Sequence, residues 1–561
     1  MPSGLVLHSS GNRTRLPHVI ANIQNISSHE SAYLDARKNI TNAAVNKFLT
    51  RANLTGFDAT SFLANYTPNI GLAFSGGGYR AMLNGAGAFQ AMDSRQPGST
   101  SDSGLGGLVQ SASYLAGLSG GSWLVGSIYV NNFTTIQALI SDPMLWNLTE
   151  LPIYPAGDNS FFASVGLLNS IRNEVDSKNN AGYNTTITDY WGLALARQFF
   201  NGTDGGLGLT WSDIQNSSAM KMAMAPWPIV IADERFPGQT VISDNSSVFE
   251  INPYEMGSWD PTLYAFTDLQ FIGTIVRNGT PTTRSCTEGF DASSFIIGTS
   301  SSLFNEALLK INGTGLPSPI RSVFTSLLSD FSKNMDDISI YEPNPFRGYQ
   351  GAANPSAMTN QLTLVDGGED GQNIPLNPLI QPVRNVDVIF AVDSSADTAN
   401  NWPNGTSLVA TYQRSLAGIQ NKTAFPAIPD QNTFVALGLN NRPTWFGCNS
   451  SNQTGPTPLI VYLPNAPVSF FSNVSTFNLT YTDSQLVDVI QNGYNVATQG
   501  NGTLNTDWLS CVGCAIIQRE TERQNQTASM QCQDCMSKYC WNGTVATTTA
   551  PMYAPTPVAS P

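Results

Sequence analysis

Twice in its first 130 residues the chain runs from a short apolar stretch into glycines and then into a segment of small residues. The first instance is NIGLAF (69–74), followed by SGGG (75–78) and YRAMLNGAGAFQAMD (79–93). The second is SASYLAGL (111–118), then the turn at Ser119, then GSWLVGSIY (121–129). Apolar runs of this length suit strands buried on both faces, and the glycines open a tight turn into a helix. Further strands are expected at PIVIAD (228–233), LTLVD (362–366) and VDVIFAVD (386–393), and a helix is expected over 29–64. Strands alternating with helices predict an α/β fold with function at the strand ends.

Hydrophobic residues make up 41% of the chain, enough for a large core, whereas charged residues are only 12% and the net charge is −14. That surface excludes nucleic acid and disfavours anionic membranes, since no Lys/Arg cluster offsets it. The glycosylation pattern N-x-[ST] occurs about 22 times, for example at Asn53, Asn147, Asn278 and Asn452. Such an excess predicts a secreted protein carrying N-glycans. The first residues hold no apolar signal segment and the last hold no lipid-anchor signal. The expectation is therefore a soluble secreted form numbered from a mature or truncated start. One uncharged window, Ser113 to Val130, approaches membrane-spanning length, but its glycines and serines point to a packed turn.

Five of the seven cysteines, Cys511, Cys514, Cys532, Cys535 and Cys540, crowd the C-terminal end; the others are Cys286 and Cys448. CVGC and CQDC have zinc-ribbon spacing, but in a secreted chain they predict disulfides of open connectivity, with one cysteine left over. The expected organisation is an N-terminal extension (1–28), a catalytic domain (29–507), a Cys-rich stapled part of the same domain (508–545) and a disordered tail (546–561).

GLSGGSW (117–123) fits the G-x-S-x-G nucleophile turn, with Ser119 between strand and helix. The usual base is missing, because the only histidines are His8, His18 and His29. No lysine lies between Lys47 and Lys178, and S-x-x-K is absent. A carboxylate is the simplest remaining base. Asp233, Asp366 and Asp393 each end an apolar run; Asp366 is favoured because Gly367 and Gly368 follow it. Burial would raise such a group from its free value near 4, which suits work at acidic pH. SGGGYR (75–80) presents successive backbone N–H groups at a helix start, half of an oxyanion hole, and Arg80 stands where a cation is locally unfavourable.

Several long motifs occur in one order: SGGGYRAM, GLSGGSW, FEINPYEMGSWD (249–260), GFDASSFIIGTSSSLFN (289–305), LVDGGEDGQNIPLNPLI (364–380) and NWPNGTS (401–407), with the closing Cys-rich stretch. Together they resemble the fungal lysophospholipase (phospholipase B) family, whose catalytic domain is shared with the cytosolic phospholipase A group. The resemblance implies a three-layer α/β sandwich around a central mixed β-sheet, related to patatin. It also implies a Ser–Asp dyad of Ser119 and Asp366 and an acyl-enzyme. The oxyanion N–H groups would be those of Gly76, Gly77 and Gly120, with Gly78 as a further contributor. Arg80 would hold the substrate phosphate or steady the oxyanion. Lysophospholipids and phospholipids at a micelle or membrane surface are the implied substrates, with no metal or cofactor. The chain departs from the family at Asn377, where a histidine is frequent, and in lacking a cysteine near its start. Two other readings are a serine esterase acting on neutral lipids and an inactive secreted glycoprotein on the same scaffold.

Overall fold

A computed structural model describes residues 25–558 except 153–159, 203–205, 207, 237–238, 240–241, 243–245, 283–285, 305–337, 350–353 and 420–422. His8, His18 and most of the expected N-terminal extension lie outside the described residues.

Thirteen strands are described, in chain order: β1 (Ile70–Phe74), β2 (Tyr114–Gly117), β3 (Trp227–Glu234), β4 (Val248–Ile251), β5 (Glu255–Ser258), β6 (Ala265–Asp268), β7 (Val276–Arg277), β8 (Thr280–Pro281), β9 (Ser339–Tyr341), β10 (Leu362–Asp366), β11 (Val388–Asp393), β12 (Thr444–Phe446) and β13 (Leu459–Pro464). Eleven form one mixed sheet in the order β12-β13-β11-β1-β2-β3-β4-β5-β6, with β10 against β3 and β9 against β10. The centre, β13-β11-β1-β2-β3, is parallel. β1, β2, β3, β11 and β13 are buried along their whole length, as parallel strands under helices must be. The helices Gly78–Met92, Gly120–Val130 and Asp483–Thr498 pack together, and Ser28–Ala52 packs on Trp508–Arg523. Helices thus cover both faces of the mixed sheet, and the five strands read from sequence are all present.

The helix expected over 29–64 is broken. It runs from Ser28 to Ala52, stops at Asn53 in the left-handed conformation, and resumes as the short helix Ala59–Leu63 capped by Asp58. Its start is tied into the core by Glu30, which pairs with buried Arg384 at 2.8 Å and accepts the Tyr114 hydroxyl. The Ser113–Val130 window is β2, the Ser119 turn and the helix Gly120–Val130, and no described helix is long and apolar enough to cross a membrane.

The Cys-rich end is an antiparallel helical hairpin, Trp508–Arg523 and Met530–Tyr539. Cysteines three apart share a helix face, so CVGC and CQDC meet in reversed register as Cys511–Cys535 and Cys514–Cys532. Cys448–Cys540 ties the hairpin end to the loop after β12, and Cys286 is free. Residues 546–558, expected as a disordered tail, form no helix or strand but bond to the main body. Ala546 and Ala550 donate to Thr433 and Asn432, and Val558 donates to the Pro467 carbonyl.

Candidate active site

The site is set by a meeting of strand ends. β2 runs parallel to β3 and its last pair is Gly117 with Val230. β10 runs antiparallel to β3 and its last pair is Asp366 with Ala232. β4 occupies the other edge of β3 over Val230–Asp233, so β2 and β10 share one edge and point at each other. Two residues of β3, roughly 7 Å of extended chain, separate the two ends. The chain leaving β2 turns at Ser119, and its Oγ donates to Asp366 Oδ2 at 2.9 Å. Both side chains are buried, at 4% and 2% exposure.

Ser119 sits at φ 49°, ψ −122°, a strained conformation for a residue with a side chain, immediately before the helix Gly120–Val130. Its N–H donates to the Ser300 carbonyl at 2.9 Å and lies 3.1 Å from Ser300 Oγ, while Ser300 Oγ donates to the Ile231 carbonyl. The Asp366 N–H donates to Ser302 Oγ at 2.9 Å. The serine run after Thr299 therefore braces both members of the pair. No sequence signal singles out Ser300 or Ser302 beyond their place in a shared motif.

Burial pushes the Asp366 carboxyl up to about 7; the N–H of Gly368, the Ser119 hydroxyl and the Leu303 backbone partly oppose it. A base so tuned is half ionised near pH 7 and protonated at the acidic pH expected from sequence. Asp233 and Asp393 do not reach Ser119. Asp233 Oδ2 accepts the Asp370 N–H at 3.3 Å, and Asp393 accepts Ser395 and the Tyr462 hydroxyl.

The glycine turn after β1 lies against the Ser119 turn. A Cβ on Gly120 would run into the Gly78 carbonyl, so only glycine permits this approach. Gly77 and Gly78 have φ 131° and 63° and start the helix Gly78–Met92. No hydrogen bond among the described residues engages the N–H of Gly77, or those of Gly78 and Gly120 outside their helices, and a helix's first N–H groups have no internal partner. Gly76 corrects the expectation: its N–H is committed to the Asn373 carbonyl at 3.0 Å and is not free for an oxyanion. Asn373 returns the contact through Nδ2 to the Gly76 carbonyl and also holds Ser395 Oγ, so it joins the Asp366 loop to the glycine turn.

Arg80 is fully buried. Nε donates to the Ser394 carbonyl at 2.8 Å and Nη1 to the Val474 carbonyl at 2.7 Å. Nη2 has no protein partner and lies beside Gly77. Burial lowers the guanidinium to about 10, which leaves it charged at neutral pH. Asn377 is buried, and its carbonyl accepts from Gln381 Nε2 at 2.8 Å.

Residues 70–546 match the family model of the lysophospholipase catalytic domain. The chain belongs to the lysophospholipase family. Lysophospholipase 1 of Aspergillus fumigatus is 52% identical over 553 residues, covering 96% of this chain and 87% of that one. Lysophospholipase 3 of Saccharomyces cerevisiae is 46% identical over 555 residues, covering 95% and 81%. Among solved structures, human GIVD cytosolic phospholipase A2 has the same fold, with a TM-score of 0.65 at 17% identity over 90% of this chain and 69% of that one. For an enzyme of this family, the strand-end meeting is the part of the fold on which a serine and a carboxylate converge.

Proposed function

We propose that the chain is a secreted lysophospholipase/phospholipase B that cleaves fatty-acyl esters through the Ser119–Asp366 dyad. The observation that carries this is the 2.9 Å hydrogen bond from Ser119 Oγ to a buried carboxylate, beside unengaged N–H groups. Ser119 Oγ attacks the ester carbonyl carbon as its proton passes to Asp366 Oδ2. The developing oxyanion is met by the N–H groups of Gly77, Gly78 and Gly120. Asp366 then returns the proton to the departing glycerol oxygen, leaving the acyl group on Ser119. In the second half Asp366 takes a proton from water as the hydroxide adds to the acyl carbonyl, and it hands that proton to Ser119 Oγ as the Oγ–acyl bond breaks and the fatty acid leaves. The unpartnered Nη2 of Arg80 favours a phosphate-bearing substrate over a neutral lipid.

Secretion and N-glycans are supported by the surface. Every described sequon asparagine is exposed except Asn404, Asn473 and Asn478, which are half-buried. Among the described residues the buried asparagines, Asn84, Asn252, Asn344, Asn354, Asn377, Asn440, Asn465 and Asn492, belong to no sequon. Three disulfides point to the same oxidising compartment.

The test is fatty-acid release from lysophosphatidylcholine and diacyl phosphatidylcholine in chelator, beside Ser119→Ala. Release that requires Ser119 is expected from both lipids. No release from either, by folded protein, would overturn the reading.

A further inference from the structure

Ser119 is buried, yet the lipids proposed above as substrates live in aggregates, so some surface beside the site must meet the aggregate. No charged residue stands between Arg442 and Asp483, although the chain carries 40 acidic and 26 basic residues. The last part of that stretch, Ala466 to Thr482 (APVSFFSNVSTFNLTYT), lies over the glycine turn. The Val474 carbonyl accepts from Arg80, the Thr476 carbonyl is where a Cβ on Gly78 would fall, and the Phe477 ring meets Phe304 at 5.6 Å. Phe304 in turn meets Trp123 on the helix that starts after Ser119.

Phe471 and Phe477 in this segment are 50% and 52% exposed. Among the described residues no other phenylalanine, and no tryptophan or tyrosine, is exposed. The other described aromatic residues are buried or half-buried, as the hydrophobic effect favours. The backbone on either side of Phe471 is held firmly, since Asn492 Oδ1 accepts the N–H groups of Val468, Ser469 and Phe470 and Ser472 Oγ donates to Asn465, while Phe477 is placed by its ring contact with Phe304. Two rings fixed outward beside a buried nucleophile, on a segment without charge, have the chemistry of an interfacial anchor.

We propose that residues 466–482 are the lipid-docking face of the enzyme, with Phe471 and Phe477 entering a zwitterionic, phosphatidylcholine-type surface. The occupant follows from the charge pattern. The segment holds no lysine or arginine to attract anionic lipid, and the chain's net charge of −14 repels it. Binding is therefore apolar in origin and insensitive to salt. The segment's two sequons do not contradict this. Asn473 and Asn478 are half-buried, and the amide nitrogen of each is engaged, donating to the Asn400 carbonyl at 2.8 Å and the Thr480 carbonyl at 2.6 Å.

The proposal rests on the lipid-hydrolase reading, so binding and turnover are measured separately. Binding uses the Ser119→Ala protein and phosphatidylcholine vesicles, read by co-sedimentation at low and high salt. Adding Phe471→Ser and Phe477→Ser should weaken partitioning at least tenfold, while Met530→Ser on the C-terminal hairpin should not change it. Phe477 touches Phe304, so Phe471→Ser alone is the safer variant and should still cost at least threefold. In the active protein, the double change should reduce hydrolysis of micellar lysophosphatidylcholine at least tenfold more than hydrolysis of monomeric p-nitrophenyl butyrate. Equal partitioning of double variant and parent, no binding by the parent, or an N-glycan on Asn478 would each overturn the proposal. Vesicle binding that depends on the two rings, in a protein that releases no fatty acid, would overturn the hydrolase reading and leave the docking face standing.

Discussion

Among the described residues, two buried Ser–Asp hydrogen bonds lie at strand ends of the sheet, Ser119 to Asp366 at 2.9 Å and Ser395 to Asp393 at 2.6 Å. Burial raises both carboxyls above their ordinary range. Their surroundings differ. Ser395 is two residues beyond its aspartate, and its N–H bonds to the same carboxylate, a local turn of the kind Asp forms at strand ends. Its hydroxyl accepts from Asn373 while it donates to Asp393, and Asp393 also accepts from Tyr462. Ser119 is 247 residues from its aspartate, in a strained turn packed beside a glycine turn with unengaged N–H groups. A Ser–Asp contact becomes a candidate for catalysis only when the serine is poised and the charge it would generate has somewhere to go.

The largest contrast is in turnover. Ser119→Ala and Asp366→Asn should each lower kcat on lysophosphatidylcholine by about 10⁴-fold, the scale of losing a nucleophile or its base. Ser395→Ala and Asp393→Asn should keep turnover within about tenfold while lowering stability by about 1–3 kcal/mol, because buried partners lose hydrogen bonds. Comparable loss of turnover in both pairs would dissolve the distinction.

The next contrast is in stability against pH. Asp366 rises from about 4 unfolded to about 7 folded. A carboxyl raised in this way adds stability that is full below pH 4 and is lost as pH rises through 7. Three units correspond to about 4 kcal/mol at most. Asp366→Asn lacks this dependence, so its melting temperature relative to the parent should climb between pH 4 and pH 8. A flat difference would mean that Asp366 is not desolvated.

The smallest effect belongs to a positioning residue. Ser300→Ala keeps the main-chain acceptor for the Ser119 N–H but removes the hydroxyl that ties it to Ile231. About a tenfold fall in kcat with KM unchanged is expected, and Ser300→Thr should recover part of it. A change in KM alone would place Ser300 in substrate binding instead.

Much of this was legible in the chain. Local apolar runs marked β1, β2, β3, β10 and β11, because a buried strand must be apolar along its length. Glycines with no room for a Cβ marked the turns. What the chain did not display was register. Asp233, Asp366 and Asp393 look alike as strand-end aspartates, and only the pairing of β10 with the far half of β3 aims one of them at Ser119. Gly76 was misassigned for the same reason, since its N–H is taken by Asn373, a partner 297 residues away. The meander β4 to β6 went unseen because its strands carry Glu250, Glu255 and Asp268; Glu250 pairs with Arg384, and Asp268 caps the next turn. The helix break at Asn53 lay inside a run of helical spacing that continued past it.

The most direct measurement is covalent labelling of Ser119 by a neutral fluorophosphonate, followed by mass spectrometry from pH 4 to pH 9. The dyad predicts that labelling rises with ionisation of Asp366, half-maximal near pH 7, and that Asp366→Asn labels far more slowly with no such rise. Labelling of Ser119 at the parent's rate in Asp366→Asn, or modification of a different serine, would contradict it.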